Sequence, residues 1–342
     1  MNSILVADVG ATNARFGMVD LTNSSHGKNP YLAGAQHKLK CSDYADITTM
    51  IRAYGKISGQ LLPPYACLAV AGPIQQGRVQ MTNLSWEFGI DELRRELGMK
   101  ALDVINDFAA LAYATPHLGD GLIKTLRAGR ADPEAPILCL GPGTGLGMAL
   151  LVPVGSGWKI VPTEGGHCNF APGDAQEIAI LQYWLERQDQ VAVEDLMSGQ
   201  GLVRIYQALA SLAGQAAQAY EPVDVSRKGQ SGEDPLCRKA LDQFFAMLGS
   251  TVGDRVLTSG AQGGVIIGGG IVTKLPDYLP KTDFLKRYDQ KGIMSCYVET
   301  IPLNMIVDDS AALVGTAARL IDEVPELASQ LSNTCPERVR GG

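Results

Sequence analysis

The sequence predicts an α/β protein of two domains, and three observations lead there. A chain of 342 residues exceeds what one hydrophobic core ordinarily supports, so two domains with a cleft between them are the natural arrangement. Short apolar runs that read as strands alternate with stretches of helical periodicity. One pattern also occurs twice. An apolar strand enters a glycine turn that carries a threonine and leaves as a second apolar strand, once around Asp8–Asn13 and again around Gly141–Gly147. Two such hairpins point to an ancient duplication, with each half an α/β domain.

Along the chain, Ile4 to Asp8 reads as a buried strand ended by Gly10, and Arg15 to Asp20 alternates as its hairpin partner. A polar connection runs from Leu21 to Pro30, and Cys67 to Ala71 is a third buried strand that stops at Gly72-Pro73. Ile90 to Leu97 has helical spacing. Ala101 to Ile105 is a strand that delivers Asn106 and Asp107 at its end, and a helix begins over Phe108 to Ala114. The second hairpin pairs Ile137–Leu140 with Met148–Val152. Residues 174 to 220 and 236 to 257 read as largely helical, separated by a polar surface loop from Glu221 to Asp234. Gly263 to Gly270 encloses a short strand, Ile271 to Leu275 begins a helix, Ser310 to Asp322 closes the fold, and the tail to Gly342 carries little signal.

Bulk properties narrow the function. The chain carries a net charge of −7 and no basic run, so the electrostatic footprint of a nucleic-acid binder is missing. No stretch is long and apolar enough to span a bilayer, and the N-terminus lacks a secretory pattern, so a cytoplasmic protein is expected. The seven cysteines are scattered with no C-x-x-C spacing, which argues against disulfides and structural zinc. No P-loop, dinucleotide fingerprint, G-x-S-x-G elbow or H-E-x-x-H pair occurs.

What remains is chemistry at glycine turns and strand ends. Asp8-Val9-Gly10-Ala11-Thr12-Asn13 and Gly143-Thr144-Gly145 suit phosphate, because several backbone N–H groups and a hydroxyl can converge there; either alone reads more readily as a tight hairpin turn, and the two together, with matching threonines, favour phosphate. Asp8 at a strand end suits a magnesium ion and its waters, against the plainer role of capping the turn. Asn106-Asp107 should project into the crevice at a sheet edge, where a carboxylate accepts the proton of an attacking hydroxyl; the alternative is a helix N-cap, and the pair can serve both ends. Glu164-Gly165-Gly166-His167 places a carboxylate and an imidazole around a bend suited to vicinal sugar hydroxyls, although a lone histidine is often structural.

Taken in order, these segments resemble the bacterial glucokinase family of the hexokinase, acetate kinase, actin and Hsp70 superfamily. The likeness also includes Ala71-Gly72-Pro73-Ile74, Met81 to Trp86, Leu196-Met197-Ser198-Gly199 and Gly268-Gly269-Gly270-Ile271-Val272. It implies a two-domain actin-like ATPase (ribonuclease H-like) fold, with a smaller domain at 1–116 plus 309–342 and a larger, helix-rich domain at 117–308. It implies ATP-dependent phosphorylation of glucose to glucose 6-phosphate, the entry to glycolysis, with magnesium and a homodimer. By resemblance Asp107 is the base; Asn83, Asn106, Glu164, His167, Glu194 and Gly72 line the sugar pocket. ATP falls to Asp8, Gly10, Ala11, Thr12, Asn13, Gly143, Thr144, Gly145 and Gly268–Gly270. Closure of the domains over the sugar is implied as well, to exclude water.

Two positions depart from the family pattern: Ala11 replaces a second glycine in the first loop, and Pro142 replaces a small residue in the second. The zinc motif of the related repressor/kinase (ROK) family is absent. Two rivals stay open, a kinase for mannose, fructose or an amino sugar, and a non-catalytic sugar sensor on the same fold. Against the sensor, the first strand starts at Ile4 and Asp107 is intact.

Overall fold

The structure, a computed structural model, describes residues 3–22, 29–31, 33–81, 84–119, 121–155 and 157–332. The chain divides into two compact units, Met1–Leu122 with Asp309–Gly342, and Ile123–Asp308.

The first unit is built on a five-stranded sheet. Strand β1 (Ser3–Val9) pairs antiparallel with β2 (Asn13–Asp20), which pairs with β3 (His37–Lys40). Helix α1 (Ile47–Ser58) follows, started by the Asp46 side chain accepting the Thr49 N–H and ended by Gly59 at φ 66°. Its buried face, Ile47, Met50, Ile51 and Tyr54, repeats at helical spacing and lies against Leu5, Ala7 and Val9 of β1. Strand β4 (Tyr65–Val70) is parallel to β1. A small side sheet of β5 (Ile74–Gln75), β6 (Arg78–Gln80) and β7 (Glu87–Gly89) precedes α2 (Ile90–Glu96), β8 (Ala101–Asn106) and α3 (Asp107–Ala114).

Register explains why the key side chains meet. Asp8 is opposite Ala69, and Val70 is opposite Asn106 across the parallel pairs β1–β4 and β4–β8. The C-terminal ends of three parallel strands are therefore level, which is where open α/β sheets present ligand-binding loops.

The second unit carries a six-stranded sheet ordered β12-β11-β10-β13-β14-β9. In chain order these are β9 (Ile123–Arg127), β10 (Ile137–Pro142), β11 (Leu146–Val154) and β12 (Gly157–Thr163), with β10–β11 the second hairpin. Helices α4 (Ala175–Leu185), α5 (Val193–Leu196), α6 (Gly199–Leu212), α7 (Pro222–Ser231) and α8 (Pro235–Ser259) intervene before β13 (Gly264–Ile267). Helices α9 (Phe284–Asp289) and α10 (Ser295–Glu299) then lead to β14 (Leu303–Ile306). Parallel pairing places Leu140 of β10 opposite Ile267 of β13, so the second glycine turn and Gly268–Gly270 leave the same sheet edge.

The chain returns to the first unit as α11 (Ala311–Glu323) and α12 (Pro325–Ser332). Leu313, Ala317, Leu320 and Ile321 cover Ile4, Val6 and Cys67, the alternate residues to those under α1. Both faces of the central strands are thus buried, which is why they read as unbroken apolar runs. Helices α3 and α11 approach closely: a Cβ on Gly315 would stand 1.7 Å from the Ala110 carbonyl oxygen.

Three expectations change. Glu221 to Asp234 is not a loop, because α7 occupies most of it, with Pro222 in its first turn and Gly232 at φ 75° after its end. Its polar composition hid a buried stripe of Val225 and Gly229, where a Cβ on Gly229 would lie 2.7 Å from the Cys237 carbonyl oxygen. Ile271 to Leu275 makes isolated turns, with Thr273 N–H to the Gly269 carbonyl and Leu275 N–H to that of Val272; Pro276 holds the residue before it out of helix. The tail forms α12, and residues 333–342 lie outside the described residues.

Candidate active site

In the first unit, β1 ends at Asp8-Val9 and the hairpin turn begins. The Gly10 N–H is turned back to the Asn13 carbonyl at 3.1 Å, and Cys41 backs the turn by donating its N–H to the Thr12 carbonyl at 2.9 Å. Among the described residues the Ala11 and Thr12 N–H groups have no acceptor, so these two, with the Thr12 hydroxyl, remain for an anion. Ala11 does not sit at positive φ, so its methyl group costs no backbone strain.

The electrostatics single out two carboxylates. Asp8 is pushed up to about 7, first by burial and then by the negative charge of Asp107; Arg15 pulls it down and Asp309 adds to the rise. Arg15 is already paired with Asp309 at 2.9 Å. Asp107 is raised to about 6 by burial, a rise restrained by the Phe108 N–H, which reaches its Oδ1 at 2.9 Å. Beside it, Asn106 caps α3: its Oδ1 accepts the N–H groups of Phe108 at 2.9 Å and Ala109 at 3.4 Å. The Asn106 side chain also hydrogen-bonds to the Asp107 carboxyl and further restrains its rise; an amide nitrogen has two hydrogens and a carboxylate oxygen two acceptor sites, so both groups keep capacity for a ligand.

Asp8 thus feels the negative charges of Asp107 and Asp309 against the single positive charge of Arg15, a locus that a cation would relieve. Among the described residues no group of three or more His, Cys, Asp or Glu side chains could hold a metal. That donor set fits magnesium, which keeps water and phosphate oxygens around one or two carboxylates, and does not fit an all-protein metal cage.

Gly72 follows β4 at the same sheet edge, and a Cβ there would lie 2.3 Å from the Gln80 carbonyl oxygen, so the position admits only glycine. Asn83 lies outside the described residues.

In the second unit, the Gly143 N–H closes its own turn on the Gly145 carbonyl at 2.8 Å, and the Gly143 carbonyl accepts the Gly199 N–H at 2.9 Å. The Thr144 and Gly145 N–H groups have no acceptor among the described residues. Pro142 ends β10, where its carbonyl accepts the Ile271 N–H at 3.3 Å, so its missing N–H costs nothing. Gly269, at φ 87°, would place a Cβ 2.4 Å from the Pro142 carbonyl oxygen, and a Cβ on Gly141 would stand 2.1 Å from the Gly268 carbonyl oxygen, so the backbone at Gly268 and Gly269 packs against the end of β10.

Glu194 on α5 reaches the same turn: its Oε2 accepts the Leu146 N–H at 2.7 Å. Glu164 and His167 flank one short turn, with His167 Nε2 3.8 Å from Glu164 Oε2 and both side chains open to solvent. Gly166 within that turn packs on Leu146, where a Cβ would stand 2.7 Å from the Leu146 carbonyl oxygen. The turn is held from behind by Arg255, which donates to the Gly165 carbonyl at 3.1 Å, and by Gln190, which donates to the His167 carbonyl at 3.3 Å.

The glucokinase family profile matches residues 5–323. The chain belongs to the glucokinase family. Glucokinase of Saccharophagus degradans is 40% identical over 94% of this chain and 98% of its own, and that of Chromobacterium violaceum is 38% identical over 99% and 95%. A crystal structure of a glucokinase from an Antarctic psychrotroph matches with TM-score 0.83 at 35% identity, covering 94% of this chain and 99% of that one. A ROK family glucokinase from Streptomyces griseus, solved with glucose and AMPPNP, has TM-score 0.62 over 94% of this chain and 99% of that one; at 18% identity the likeness is of fold alone. The fold is that of the actin-like ATPases.

Sequence reasoning did not find Arg15, Asp309 or Arg255. Arg15 lies in an ordinary alternating strand, Asp309 is distant in sequence, and Arg255 is one polar residue in a long helix, so no local signal marks them.

Proposed function

We propose that this protein transfers the γ-phosphoryl group of ATP to the terminal hydroxyl of glucose, giving glucose 6-phosphate and ADP. The observation that carries the reading is the Asp107 carboxylate: enclosed at a sheet edge, raised to about 6, and held in place by the Phe108 N–H and the Asn106 side chain. A carboxylate so placed is ionised at neutral pH and basic enough to take a hydroxyl proton as phosphoryl transfer proceeds.

The other roles follow from donors and acceptors. Asp107 Oδ2 orients the sugar hydroxyl and receives its proton, while the Asn106 amide donates to a neighbouring hydroxyl. Gly72, Asn83, Glu164, His167 and Glu194 complete the sugar set; carboxylates accept from hydroxyls, and the imidazole donates or accepts. The free N–H groups of Ala11, Thr12, Thr144 and Gly145 take phosphate oxygens, with Gly10, Asn13 and Gly143 shaping the turns. Gly268–Gly270 present bare backbone to the adenosine. Magnesium, held by Asp8 through water, would neutralise charge on the triphosphate.

The reading is tested by incubating purified protein with ATP, magnesium and each of glucose, mannose, fructose and glucosamine, and identifying the phosphorylated product. The expected result is glucose 6-phosphate, with ADP formed in equal amount and the highest kcat/KM for glucose. Indifference to glucose with turnover of another hexose would replace the sugar assignment, and binding of glucose without turnover would favour a sensor.

A further inference from the structure

The glycine at 145 is not needed for its backbone angle, since it does not occupy positive φ. It is needed for space: a Cβ there would stand 2.4 Å from Glu194 Oε2, the oxygen that accepts the Leu146 N–H at 2.7 Å. The carboxylate of α5 therefore lies directly against the second glycine turn and satisfies the first N–H of β11. Leu146 also carries the carbonyl against which Gly166 packs, so the turn bearing Glu164 and His167 rests on the same residue.

We propose that Glu194 is a positioning residue for the phosphate-binding turn as well as a sugar ligand, and that through Leu146 it links nucleotide affinity to the sugar-reading segment. The inference rests on the kinase reading above and adds to it a role for Glu194 that operates with no sugar present. One oxygen holds the turn and the other is left for a hydroxyl. Removing the carboxylate leaves the Leu146 N–H without its acceptor and frees the turn, so nucleotide binding weakens before any sugar is added.

The test measures AMPPNP binding to the full chain by calorimetry without sugar, in native protein and in Glu194→Ala, Glu194→Gln, Gly145→Ala and Gly145→Ala/Glu194→Ala. Glu194→Ala is expected to weaken AMPPNP about tenfold. Glu194→Gln, which keeps an acceptor oxygen in place, is expected to recover most of that loss. Gly145→Ala should weaken binding in the native background and add little once the carboxylate is gone, because the clash it creates is with that carboxylate. Hydrogen exchange of the peptide containing Leu146 supplies a readout that needs no ligand: it should quicken in Glu194→Ala and be restored in Glu194→Gln. Native-like exchange and native-like AMPPNP affinity in Glu194→Ala, or full additivity in the double variant, would overturn the proposal. Failure of the native protein to bind AMPPNP at all would instead strike the kinase reading, while the exchange result would still decide whether Glu194 holds the turn.

Discussion

Asp8 and Asp107 carry opposing demands of stability and chemistry. Both are carboxylates whose ionised forms the fold disfavours, Asp8 at about 7 and Asp107 at about 6. An unfolded aspartate titrates near 3.9. The folded protein therefore binds protons more tightly than the unfolded chain, and these two residues erode stability as pH rises from about 4 to about 7. Asp8→Asn should raise the thermal midpoint of the ligand-free protein at pH 8 and do so less at pH 5, while abolishing magnesium-dependent turnover; an equal or opposite shift at the two pH values would contradict the electrostatic account. For catalysis the sign reverses, because the base works ionised: kcat/KM for glucose should fall as pH drops through about 6. A steady-state pH profile checks this.

At the scale of elements, the strand β8 and helix α3 show what a sequence can and cannot reveal. The apolar run before Asn106-Asp107 made both the strand end and the helix start legible, and Asn106 does cap α3 while Asp107 begins it. Replacing Asn106 by alanine should cost about 1 kcal/mol of stability through the cap alone, measurable by denaturant unfolding. Other elements were hidden because their signal is tertiary. Helix α7 is polar in composition and owes its place to Val225 and the close approach of Gly229 to α8, which periodicity in a short segment does not expose. Nor does spacing reveal why Gly145 and Gly315 are glycines: each makes room for an atom distant in sequence, the Glu194 carboxylate or the Ala110 carbonyl. Gly315→Val should destabilise the first unit by about 1–3 kcal/mol and, by pushing α3, lower kcat even in the folded fraction. Unfolding curves and kinetics on the same preparation test both effects.

For the whole molecule, a net charge of −7 with no basic run argues against a nucleic-acid partner, yet a triphosphate is itself a polyanion. The two statements are compatible because the glycine turns offer backbone N–H groups, which bind phosphate without adding surface charge. Each unit has its own core, and the larger one buries an ion pair outside the proposed site: Glu177, fully enclosed, meets Arg287 at 2.8 Å, and Arg287 also pairs with Asp174 at 2.8 Å. Arg287→Met leaves Glu177 uncompensated and should lower stability by about 3–5 kcal/mol, visible as a lower thermal midpoint. Among the described residues no helix is long and apolar enough to cross a membrane.

The account turns on proton transfer to Asp107, and single-turnover phosphorylation of glucose by Asp107→Asn tests it most directly. Asparagine keeps the size and the contact to the Phe108 N–H but accepts no proton, so the transfer rate should fall by about 10²–10⁴-fold while glucose affinity changes by only a few fold. A transfer rate equal to that of the native protein would show that the hydroxyl proton leaves by another route.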